Sequence, residues 1–102
     1  MPYTLIFRAS MYGNVPEIKT ALSLGCADVN KTTSDGMTPI WWLSWSGQYD
    51  EIKVLLACCS NVDVNIRCSS SSHGDDLTPL GIAKKRRWDN IVALLKAHGG
   101  IE

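Results

Sequence analysis

"DGMTPIWWLSWSGQYDEIKVLLACCSNVDVN", residues 35–65, spells out two short helices and the corner between them. Thr38 can cap a helix through its hydroxyl, and Pro39 at the first helical position gives up an amide that has no partner there in any case. A first helix is therefore expected over about Pro39–Ser46, with Gly47 ending it as a left-handed cap. A second helix is expected over about Tyr49–Cys58. Ile52, Leu55, Leu56 and Cys59 fall at i, i+3, i+4 and i+7, which makes an apolar stripe on one face, with Asp50, Glu51 and Lys53 outside it.

This unit is one of three. At an offset of 34 residues, Gly13 falls on Gly47, Ile18 on Ile52, Lys19 on Lys53 and Leu22 on Leu56. At an offset of 40, Thr38-Pro39-Ile40 falls on Thr78-Pro79-Leu80, Ile52 on Val92 and Leu55 on Leu95. "ADVN" at 27–30 and "VDVN" at 62–65 are polar exits from the first two units, and Ile91, Val92, Leu94 and Leu95 repeat the stripe in the third. Helix pairs this short cannot bury an apolar face alone, so they must stack on one another.

The central stretch resembles an ankyrin repeat at Gly36, Thr38, Pro39, Gly47, Ile52, Lys53, Leu55, Leu56, Asp63, Val64 and Asn65. The third unit is similar to the family at Thr78, Pro79, Leu80, Ala83, Ile91, Val92, Leu94, Leu95 and Gly99. The first, which starts inside its first helix, is similar at Ala9, Gly13, Ile18, Leu22, Gly25, Asp28, Val29 and Asn30. The resemblance implies an all-α fold: an α-solenoid of three ankyrin-type helix-turn-helix repeats joined by β-hairpin-like turns. It implies one domain over residues 1–102, with repeats at about 4–33, 34–67 and 74–102. Family members carry His after the T-P-L triplet, and this chain has Trp41 and Gly81 instead.

Two irregularities interrupt the pattern. Eight positions lead from Asn30 to Thr38 but thirteen from Asn65 to Thr78, and the excess lies in the Ser-rich "IRCSSSSHGDD". With almost no apolar surface, an insertion at about 67–74 is expected to project into solvent as a finger, either tolerated drift or a contact element. Lys84-Lys85-Arg86-Arg87 is the second. Lys84 aligns with Ser44 and Ser10, and Arg87 with Gly47 and Gly13, so these charges are expected to form the polar outer face of a terminal repeat.

Composition excludes several classes of function. Ten basic residues against ten acidic ones give no long-range field for nucleic acid or an anionic membrane. No export signal or spanning segment is visible, so a cytoplasmic or nuclear location is expected, and with it four free thiols at Cys26, Cys58, Cys59 and Cys68. Cys58, Cys59, Cys68 and His73 match no zinc spacing. Neither His73 nor His98 sits in a nucleophile motif, and no Gly-rich phosphate loop is present. His98 is expected to face the negative end of the last helix. No catalytic residue, cofactor or metal is expected, and the chain reads as a non-enzyme.

The resemblance implies a protein-protein interaction module that grips its partner with the concave face and turn tips. The family's contact positions fall on Met11 and Tyr12 in the first unit, on Asp35, Met37, Trp45 and Ser46 in the second, and on Asp75, Leu77, Lys85 and Arg86 in the third. Two alternatives stand beside it. The Lys84–Arg87 cluster with Trp88 could bind nucleic acid or another anion, or the chain could be a stable scaffold with no binding role. A monomer is expected, with dimerisation through an apolar N-terminal face exposing Phe7 beside Arg8 as the alternative. The clustered tryptophans divide accordingly. Trp42 is expected in the core, Trp41 against the neighbouring turn, and Trp45 facing the partner.

Overall fold

The computed structural model describes residues 4–12, 14–68 and 76–102. Among these the fold is all-helical, with six helices and no strand: α1 (Leu5–Met11), α2 (Val15–Leu22), α3 (Pro39–Ser46), α4 (Tyr49–Cys58), α5 (Pro79–Lys85) and α6 (Asp89–Ala97). They form three antiparallel pairs, α1 with α2, α3 with α4, and α5 with α6. The pairs stack in two rows: α3 lies between α1 and α5, and α4 between α2 and α6.

The local chemistry repeats from pair to pair. Thr4, Thr38 and Thr78 each cap the first helix by accepting a hydrogen bond from the amide three residues on, and Pro39 and Pro79 occupy the first helical position. The first unit thus does not begin inside its helix, as the sequence suggested. Thr4 falls on Thr38 at the same offset of 34 and opens α1 in full. Gly47 closes α3 at φ 78°, the left-handed cap expected of it. Arg87, at the equivalent corner, adopts φ 63° without being glycine.

The stacking edge is stitched through asparagines. Asn30 donates to Asn61 O at 2.7 Å and accepts from the Asp63 amide at 2.7 Å. Asn65 does the same one unit later, donating to Gly99 O at 3.1 Å and accepting from the Ile101 amide at 2.9 Å. Each staple satisfies main-chain groups of the turn that follows the second helix of the next unit. The two long connections also close on themselves, Thr33 N–H bonding Met37 O and Cys68 N–H bonding Leu77 O, both at 3.0 Å.

Two apolar clusters fill the interior. The larger runs through all three pairs and contains Ile18, Ile40, Leu43, Ile52, Leu55 and Leu95. The smaller consists of Phe7, Met37, Trp41, Cys68 and Ile82, with Trp42, Trp45 and Leu77 packed against it. Phe7 is therefore a core residue, 2% exposed, and not part of an open N-terminal face. The apolar surface that the first pair does expose comes from Leu5, Met11, Tyr12 and Leu24.

Cysteine chemistry departs from expectation as well. Cys26 and Cys59 form a disulfide, with Cα atoms 5.8 Å apart, joining the segment after α2 to the C-terminal end of α4. Only Cys58, exposed, and Cys68, buried, are free. The inference of four thiols rested on compartment. Stacking two similar units overrides it by placing residues 33 apart in sequence side by side. No helix among the described residues is long and apolar enough to cross a membrane.

Candidate functional site

The three tryptophans of α3 occupy three environments. Trp41 is fully buried, and its Nε1 donates to Leu77 O at 3.0 Å, so it packs on the neighbouring turn as the sequence implied. An indole here reaches across to the next unit. Trp42 is half-buried, with its ring centroid 6.1 Å from Phe7 and 5.2 Å from Trp45. Its Nε1 is buried without a hydrogen-bond partner among the described residues, a cost of about 1–3 kcal/mol that the packing of the ring must offset.

Trp45 opens onto the surface. It lines a notch of about 350 Å³ together with Ile82, Lys85, Arg86 and Trp88, set where the C-terminal ends of α3 and α5 meet the start of α6. Arg86 lays its guanidinium carbon 4.9 Å from the centroid of the Trp45 ring, a cation–π contact. Trp88 is fixed from the other side. Its Nε1 donates to Trp45 O at 3.4 Å, and its ring lies so close over Gly47 that a Cβ there would meet it at 2.7 Å. Glycine is thus required at 47 twice, by φ and by the indole above it.

Lys85 and Arg86 line the notch, and Arg87 stands between Arg86 and Trp88 in the chain. Lys85, Arg86 and Arg87 are exposed, and among the described residues neither Arg86 nor Arg87 has a carboxylate within ion-pair reach. Lys84 differs, because its ammonium pairs with Glu102 and holds that carboxyl below the usual carboxylate range.

The remaining sequence-derived positions scatter. Met11 and Tyr12 are exposed on the first pair, 38% and 71%, and line no part of the notch. Asp35 is exposed on the turn before α3 and Ser46 is half-buried, its hydroxyl donating to Trp42 O at 2.9 Å. Met37 is a correction. At 4% exposure it belongs to the smaller core cluster and offers a partner almost no surface. Leu77 is half-buried against the same cluster. Asp75, His73 and the serines of the insertion lie outside the described residues. Cys68, placed inside the expected insertion, is instead buried at its base, 0% exposed with its Sγ 3.5 Å from Asp35 O. Arg67 bridges that base by donating to Asp76 O at 2.9 Å.

Trp88 and Ile82 were not among the sequence-derived site residues. In the sequence Trp88 stands out only as a stacking platform beside the basic run, and Ile82 carries no signal beyond its apolar character. Of the residues weighed against a zinc site, Cys59 is bonded to Cys26 and Cys68 is buried in the smaller cluster. His98 Nδ1 lies 3.0 Å from Leu94 O, at the negative end of α6 as expected. Compared with known proteins, the chain matches no family model, and no curated protein matches it.

Proposed function

We propose that the chain is a stack of three ankyrin-type repeats that binds a protein partner through the face built by α3, α5 and their following corners. The threonine caps, the left-handed corners and the asparagine staples, recurring at the repeat period, support the ankyrin reading. The observation that carries the binding reading is the convergence of Trp45, Lys85 and Arg86. Three positions implied as contacts by resemblance alone, with Trp45 lying 40 residues before Lys85, line one open notch. Aromatic and arginine side chains half-exposed around a cleft are the types that dominate protein interfaces.

Panning a random peptide-display library on the immobilised chain tests this reading. Enriched peptides should lose most of their binding to the Trp45→Ala protein, while its thermal unfolding changes little compared with Trp41→Ala. A library that yields no Trp45-dependent peptide would overturn it.

A further inference from the structure

Building on the protein-binding reading, we infer that the notch takes an acidic segment of the partner, with an apolar or aromatic side chain seated between Trp45, Ile82 and Trp88 and carboxylates paired with Arg86 and Arg87. Three observations carry this. The first is charge: two guanidinium groups without carboxylate partners among the described residues stand beside an aromatic cleft in a chain whose net charge is zero. A guanidinium resting on an indole face keeps its in-plane N–H groups available, and those match a carboxylate's two oxygens.

The second is backbone conformation. Arg87 holds φ 63° at a corner where the preceding unit has Gly47, a conformation that strains a residue with a side chain. Glycine suits this corner better, so the charge at 87 can be removed there without straining the backbone. The third is size. A cleft of about 350 Å³ is at the small end for a ligand site, suited to a large side chain rather than an extended surface.

A nucleic acid fits the same surface poorly. Lys84 is engaged by Glu102, which leaves a cluster shorter than a phosphate track.

Fluorescence anisotropy with defined labelled peptides tests the inference on the whole chain. A peptide with three glutamates flanking one phenylalanine should bind, and its Gln-for-Glu counterpart should bind about tenfold or more weakly. Replacing Phe by Ala in the peptide should weaken binding by a similar factor. Arg87→Gly, which removes the charge while suiting the backbone, should weaken the acidic peptide about fivefold or more with no loss of thermal stability. Equal affinity for the Glu and Gln peptides, an unaffected Arg87→Gly protein, or tighter binding of a dT12 oligonucleotide than of the acidic peptide would each overturn the inference. Display peptides that need Trp45 yet lack acidic residues would also overturn it, while leaving the protein-binding reading intact.

Discussion

The junction between the first and second helix pairs and the junction between the second and third share an asparagine staple and little else. The first is closed covalently, by Cys26–Cys59 at the C-terminal end of α4. The second has no covalent link and is held by aromatic side chains: Trp41 bonds Leu77 O, and Trp88 bonds Trp45 O while roofing Gly47. One topology is thus secured by chain connectivity in one place and by close packing in the other. The two junctions should answer to different perturbations.

The largest expected effect comes from breaking the covalent junction. A cross-link spanning 33 residues restricts the unfolded chain by about 3–4 kcal/mol in the chain-entropy account. Cys26→Ser, or a reductant, should lower stability by about that amount in denaturant melts. Hydrogen exchange should accelerate first around α2 and Val29 and leave α5 protected. Equal loss across all three pairs would show that the junctions do not open independently.

Gly47→Ala attacks the other junction. The substitution forces φ 78° on a residue with a Cβ and drives that Cβ into the Trp88 ring, so a loss of about 2–4 kcal/mol is expected, read by the same melts. Trp41→Phe should cost less, about 1–2 kcal/mol, because Leu77 O keeps the Cys68 amide as a second donor. At the corner equivalent to Gly47, Arg87→Gly should reverse the sign and stabilise by about 0.5–1 kcal/mol, since the strain at φ 63° is relieved.

The smallest effect is electrostatic. The hydrogen bond from Lys84 lowers the Glu102 carboxyl, so its contribution is present at neutral pH and is lost as pH falls through that lowered value. The group is fully exposed, and salt should screen the effect. The stability difference between the native chain and Glu102→Gln should therefore shrink both in acid and in high salt, a comparison that acid titrations at two ionic strengths would settle.

What was legible in the sequence lies within single units. The limits of α3 and α4, the Thr38 cap and the Gly47 corner follow from propensity and periodicity over a dozen residues, and the structure has them where they were expected. What was missed lies between units. Cys26 and Cys59 meet only because two pairs stack, and Phe7 and Met37 are buried only because a neighbouring unit covers them. Trp41 is the instructive exception. Its contact with the next turn could be anticipated because the ankyrin resemblance implies a position there that packs on the neighbouring turn. The notch was half legible for the same reason: Trp45, Lys85 and Arg86 carried positional information, whereas Trp88 matters through a single close approach to Gly47 that no pattern encodes.

Asn30 and Asn65 reach only main-chain groups of the unit that follows, a carbonyl and an amide each. Every residue except proline supplies both groups, so at this edge a unit does not register which side chains its neighbour carries. Mutual recognition is thereby separated from composition. The units can diverge, one acquiring a thiol bridge and another a tryptophan-lined recess, while the rule that joins them stays the same.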